Sequence, residues 1–99
     1  MAKYFLSNKA VEDLSTIWEY TFEVWSENQA DKYYKYLIES CQTIAAHPTI
    51  GKIYSEITNE LFGYRANRHI IFYRLTIAKD VEIIRILHGS MDLKNKLEE

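Results

Sequence analysis

Two stretches of apolar residues with helical spacing meet at Ser26 with almost no chain between them, and this junction constrains the fold more than any other feature. Upstream, Val11, Leu14, Trp18, Phe22 and Trp25, with Ile17 and Thr21 beside them, make one broad stripe on a helical surface. Downstream, Ala30, Tyr33, Leu37, Cys41, Ile44 and Ala45 keep the same period as far as His47-Pro48. Proline there disfavours helical backbone at the residue before it and closes the element. Ser26-Glu27-Asn28-Gln29 has the form of a capping box, a hydroxyl residue followed three positions later by glutamine. Two helices joined so tightly fold back as an antiparallel hairpin with facing stripes. The aromatic residues of both stripes are expected in the core. Glu12, Asp13, Glu19 and Glu23 are expected on the opposite, solvated face of the first helix.

The rest of the chain supplies a sheet for that hairpin. Residues 3–6 read as a short first strand, and Ser7 as the N-cap of the first helix. Residues 48–60 are irregular and read as a loop with room for short structure. Residues 61–66 are a weak strand interrupted by Gly63, whereas 69–77 and 81–88 are strong strands rich in Ile, Phe and Tyr. Asn67-Arg68 and Lys79-Asp80 sit where hairpin turns belong. Gly89-Ser90 ends the sheet, and residues 92–99 form a charged tail with at most a loose helical turn. The order β-α-α-β-β-β predicts one α+β domain over residues 1–99, with the antiparallel helical hairpin packed on an antiparallel sheet. A two-residue turn at Lys79-Asp80 sets Arg74 opposite Arg85, Tyr73 opposite Ile86 and Ile71 opposite His88. Like charges directly across a ladder are destabilising unless an acid or a phosphate lies between them. A three-residue turn instead sets Tyr73 opposite Arg85.

Composition narrows the function classes. With 47% hydrophobic residues the 99-residue chain is too apolar for disorder, and a domain of this size leaves apolar surface for a partner to cover. Its longest apolar run, Ile70 to Tyr73, rules out a membrane-spanning helix. The Met-Ala-Lys-Tyr-Phe-Leu start is far short of a secretory signal, and a cytoplasmic location is expected. The single Cys41 excludes an internal disulfide and, on the buried stripe, reads as an inert thiol. His47, His69 and His88 have no metal-ligand spacing, and no phosphate-binding or dinucleotide-binding motif occurs, so no metal or cofactor is expected. The net charge of −2 hides an asymmetry: all four arginines, Arg65, Arg68, Arg74 and Arg85, lie within one 21-residue segment. That clustering points to planar donors on one surface, while a pI near 5.9 argues against tight non-specific nucleic-acid binding. The one enzymatic option that the residues leave is acid–base cleavage of RNA. Arg65, Arg74 and Arg85 would stabilise phosphorane charge, and His69, Tyr73 or His88 would move protons.

Taken as a set, these segments resemble a known family. Leu6-Ser7-Asn8-Lys9-Ala10-Val11-Glu12-Asp13-Leu14, followed by Ile17-Trp18-Glu19-Tyr20-Thr21, is similar to the opening of ParE-type toxins of the RelE/ParE superfamily. So are Trp25-Ser26-Glu27-Asn28-Gln29-Ala30 with Tyr33 and Leu37, and the turn Pro48-Thr49-Ile50-Gly51-Lys52. His69-Ile70-Ile71-Phe72-Tyr73-Arg74 and Ile84-Arg85-Ile86-Leu87-His88-Gly89-Ser90-Met91-Asp92 resemble the two C-terminal strand motifs. The resemblance implies the toxin of a type II toxin–antitoxin module, bound and neutralised by a cognate antitoxin whose extended segment wraps the hairpin and the sheet. ParE-like members poison DNA gyrase, whereas RelE-like members cut mRNA in the ribosome; a member that only binds its antitoxin is a third option. The chain looks closer to ParE, because the residues after His88 include no Tyr or His. No catalytic residue carries over. Candidate antitoxin- or target-binding residues are Arg65, Arg68, His69, Tyr73, Arg74, Arg85, His88, Met91 and Asp92.

Overall fold

Both helices form where the periodicity requires them. In the computed structural model, which describes residues 3–55, 57 and 60–98, strand β1 (Tyr4–Leu6) leads into α1 (Asn8–Val24), and α2 (Glu27–Ala46) follows directly. Ser7 caps α1 by accepting from the Ala10 amide at 3.0 Å, and Ser26 caps α2 by accepting from the Gln29 amide at 3.1 Å. At its far end α2 stops at the residue before His47, as the proline demands. No helix among the described residues is long and apolar enough to cross a membrane.

The sheet has the strand order β1-β5-β4-β3-β2, with β2 (Lys52–Ile53), β3 (Phe62–Ala66), β4 (His69–Leu75) and β5 (Val81–His88). Neighbours run antiparallel except β1, which joins the edge of β5 in parallel. The short strand β2 fills part of the irregular stretch. Gly63, expected to interrupt β3, instead permits it: a Cβ there would lie 2.5 Å from the ring of Tyr54. The charged tail folds into α3 (Leu93–Glu98), more ordered than a loose turn. Glu56, Thr58, Asn59 and Glu99 of these two segments, and Met1 and Ala2 of the chain start, lie outside the described residues.

The β4–β5 connection overturns the expected register. Leu75 pairs with Val81, so the loop is Thr76 to Asp80, closed by Thr76 donating to the Asp80 carbonyl at 2.8 Å. A bulge between Phe72 and Tyr73 then shifts the ladder again. Arg74 therefore faces Glu82, Phe72 faces Arg85, Tyr73 faces Ile83 and His69 faces His88. The expected Arg74–Arg85 opposition does not occur, and the ladder has no like-charge pair there to be relieved by a phosphate.

Each face of the sheet buries its own cluster. Toward the helical hairpin, Ala10, Leu14, Leu37, Cys41 and Ile44 pack with Ile71, Tyr73, Val81, Ile83 and Ile86. On the other face Leu61, Ile70, Phe72 and Leu87 are covered by Tyr54, Ile57, Leu93 and Leu97, so α3 adds a partial third layer. The α2 stripe is core as expected. The α1 stripe is core only in part: Leu14 is buried and Ile17 packs against the cluster, joined by Ala10, while Val11, Phe22 and Trp25 are 48%, 47% and 72% exposed.

Candidate functional site

The strand β1 is too short to cover the edge of β5. It pairs only as far as Leu6 with Ile83, which leaves the backbone of β5 unpaired beyond that point. The chain entering α1 closes the gap with side chains. Ser7 donates from its amide to the Ile83 carbonyl at 2.9 Å and from its hydroxyl to the Ile84 carbonyl at 2.7 Å. Asp13, nearly two turns further on, accepts from the Ile86 amide at 3.0 Å. The same carboxylate holds Arg85 in a fork, with Nε to Oδ2 at 2.8 Å and Nη2 to Oδ1 at 3.0 Å. Arg85 Nη1 donates to the Lys96 carbonyl in α3 at 2.9 Å. Both side chains are mostly buried, 12% and 13% exposed. Asp13 was expected on the solvated face; it is instead the joint between α1, β5 and α3.

A second group lies at the β3–β4 turn, where the candidates Arg65, Arg68, His69 and His88 come together. His69 and His88 face each other across the ladder with ring centroids 5.3 Å apart. Tyr33 Oη of α2 lies 2.7 Å from His69 Nδ1, and Ser90 Oγ lies 2.7 Å from His88 Nδ1. Burial, reinforced by His88 and opposed by Asp13, pushes the His69 imidazole down to about 4, so it is neutral at pH 7. Burial also raises the Tyr33 hydroxyl, against a lowering contribution from Arg68. Arg68 sits exposed in the turn and its carbonyl accepts from the Gly89 amide at 3.0 Å. Arg65 is exposed with its guanidinium beside Gly89, 2.9 Å from where a Cβ would stand. Met91 follows, 44% exposed, and Asp92 caps α3 through Asn95.

The remaining candidates stand apart from this group. Tyr73 is fully buried, about 13 Å along the strand from His69. Its hydroxyl donates to the Pro48 carbonyl at 2.7 Å and accepts from the Gly51 amide at 2.9 Å, which ties the α2–β2 connection to the sheet. Burial raises its pKa, against a lowering contribution from the Gly51 amide. Arg74 is exposed beside Glu82. Cys41 is buried and its thiol is pushed up to about 12 by desolvation. Among the described residues no group of three or more His, Cys, Asp or Glu is placed to hold a metal. Sequence reasoning missed Tyr33, Ser90 and Asp13 as site members. The first two follow once the register pairs His69 with His88, and the third has only the signal of an acid nearly two turns past an N-cap.

Similarity to known proteins follows the same arrangement of elements. Residues 4–93 match the family described as ParE toxin of type II toxin–antitoxin system, parDE. The chain is 38% identical to Toxin ParE1 of Caulobacter vibrioides over 98% of this chain and 99% of that one. It is 35% identical to Toxin ParE1 of Mycobacterium tuberculosis over 97% of this chain and 98% of that one. A structure described as the chromosomal ParDE TA system from P. aeruginosa superposes with a TM-score of 0.78 at 17% identity, covering 89% of this chain and 96% of that one. That likeness is one of fold, and the family match spans nearly the whole sequence: the chain belongs to the ParE toxin family of type II toxin–antitoxin systems.

Proposed function

We propose that this toxin acts in the cytoplasm as a binding protein that poisons DNA gyrase, and that a cognate antitoxin neutralises it. The observation that carries this reading is the occupation of Tyr73 and Arg85 by the fold. Both are among the residues that RNA cleavage could use as proton donor and phosphorane clamp, yet the Tyr73 hydroxyl is buried against Pro48 and Gly51, and Arg85 is held by Asp13. A buried phenol and a saturated guanidinium do not reach a scissile phosphate. Arg65, Arg68 and Arg74 stay exposed and suit the acidic side chains of a disordered antitoxin tail that folds on binding.

One observation favours ribosome-dependent mRNA cleavage as the second reading: His69, His88 and Tyr33 meet beside Arg65 and Arg68. A gyrase supercoiling assay with the purified chain separates the two. Accumulation of cleaved plasmid is the expected result. Its absence, at concentrations of folded protein that halt growth and degrade mRNA on ribosomes, moves the function to RNA cleavage. Growth unaffected by the expressed chain leaves a member that only binds its antitoxin.

A further inference from the structure

The tip of the β4–β5 hairpin breaks a local rule that the other turns obey. Turn tips favour Gly, Asn, Asp and Ser, yet the loop Thr76 to Asp80 carries Ile77 and Ala78 in its middle. Ile77 is 102% exposed, against 72% for Trp25, the next of the large apolar side chains among the described residues. It packs against nothing in the chain, and the turn does not need it. The Thr76 amide donates to the Asp80 carbonyl at 2.8 Å, the Lys79 amide to the Thr76 carbonyl at 2.9 Å, and the Asp80 amide to Thr76 Oγ1 at 3.1 Å. Lys79 is held at a φ of 71°, where a residue with a side chain is strained, so the loop is fixed in one shape. An apolar side chain held in water on a rigid tip loses solvation free energy and invites aggregation unless a partner covers it. Departures from local preference of this kind mark functional positions.

We propose that Ile77 is the anchor by which the toxin seats itself in an apolar, acid-rimmed pocket of its folded target, an inference that rests on DNA gyrase being that target. A convex tip needs a concave, preformed pocket. An extended antitoxin segment offers none and suits faces and grooves instead. A second copy of the chain fits no better. Its open cavities, of about 370 and 350 Å³, carry Glu19 and Asp31 in one lining and Glu39 and His47 in the other, and an isoleucine there would desolvate polar groups without pairing them. Charge sets the rim. Beside the tip stand the exposed Lys79 and Lys3, whose carbonyl accepts from the Val81 amide at 2.8 Å, against the half-buried Asp80. Because the turn is already ordered, binding freezes little at this point, and one buried side chain can dominate the contact. The tip lies at the opposite end of β4 from Arg65 and Arg68, so the anchor and those arginines are separable by mutation.

The test compares the full wild-type chain with Ile77→Asp and Ile77→Leu in a gyrase assay scored by cleaved plasmid. Ile77→Asp is expected to raise the toxin concentration for half-maximal cleavage by about tenfold to a hundredfold, the scale of one buried isoleucine. Ile77→Leu keeps an apolar anchor and is expected to keep most of the potency. Since the side chain touches nothing in the free toxin, the urea midpoints of all three proteins are expected to coincide. Calorimetry with the antitoxin encoded beside the toxin is expected to give one affinity for all three. Equal potency of wild type and Ile77→Asp overturns the proposal and leaves gyrase as the target. So does a loss of antitoxin affinity in Ile77→Asp with its potency retained, which would seat the tip in the antitoxin. Wild type that accumulates no cleaved plasmid overturns the choice of target, and the pocket proposed on it falls with that choice.

Discussion

Arg74 and Arg85 stand eleven residues apart on adjacent strands, and the molecule uses them in opposite ways. At the edge of β5, Arg85 lies between Asp13, the Lys96 carbonyl and the strand itself, with 12% of its side chain exposed. At the loop end of the same two strands, Arg74 is 57% exposed and forms an ion pair, Nε to Glu82 at 3.5 Å. The difference comes from what the backbone needs. Where β1 runs out, unpaired groups of β5 have to be satisfied, and Asp13 does so; an isolated carboxylate buried there would be costly, so Arg85 neutralises it. Near the loop the ladder is complete, and the arginine is left to solvent and partners. Clustering in sequence therefore does not mean a common surface.

Breaking the Arg85 joint is the largest expected effect. Arg85→Ala leaves Asp13 buried and uncompensated, and is expected to cost about 3 kcal/mol in urea-monitored stability, as loss of one partner of a buried pair does. Asp13→Asn, which keeps an acceptor for the Ile86 amide, is expected to cost less. A loss under about 0.5 kcal/mol for Arg85→Ala, the scale of an exposed pair, would put Arg85 in the same class as Arg74. Tyr73, adjacent to Arg74 but on the buried side, comes next. Tyr73→Phe leaves the Pro48 carbonyl and Gly51 amide without their partner and is expected to cost about 1–2 kcal/mol. Ser7→Ala removes both a helix cap and the bond to Ile84 at the β5 edge, for about 1 kcal/mol.

The contrast also marks how far the sequence could be read. Hairpin, caps, strand order along the chain and the end of α2 at His47-Pro48 were legible, because each depends on local period or on one residue's backbone preference. The register was not. A five-residue loop and a bulge at Phe72/Tyr73 are set by packing on both faces, and a shift of one or two positions reassigns every cross-strand neighbour. For the same reason the His69–His88 pair was invisible while Ile71 was matched to His88. The α1 stripe was legible in part: Leu14 and Ile17 face the core, but period alone does not say that the buried side turns toward Ala10 and leaves Val11, Phe22 and Trp25 outside.

At the end of the ladder opposite Arg74, the pairing of His69 with His88 has a pH consequence. The folded imidazole takes its proton only near 4, whereas an unfolded one does so near 6.5. Between those values the unfolded chain binds more protons, so stability falls as pH drops from 6.5 toward 4 and is unaffected by this group above that window. The difference between wild type and His69→Gln, measured by urea denaturation at several pH values, isolates the contribution. Parallel curves for the two proteins would remove His69 from the buried class.

The smallest change in stability is expected at Arg74, and it sharpens the comparison most. An exposed pair such as Arg74–Glu82 contributes little, so Arg74→Ala is expected to alter urea-monitored stability by less than about 0.5 kcal/mol. If the exposed arginines meet an acidic antitoxin segment, the same variant weakens that complex by about 1–3 kcal/mol, read by calorimetry with the antitoxin encoded beside the toxin. Arg85→Ala, after correction for its unfolded fraction, is expected to leave that affinity unchanged, because its guanidinium is already spent on Asp13. Equal dissociation constants for wild type and Arg74→Ala would remove Arg74 from the contact surface. A loss of affinity confined to Arg85→Ala would mean that the antitoxin opens the Asp13 joint as it binds, and the division between the two arginines would hold only for the free toxin.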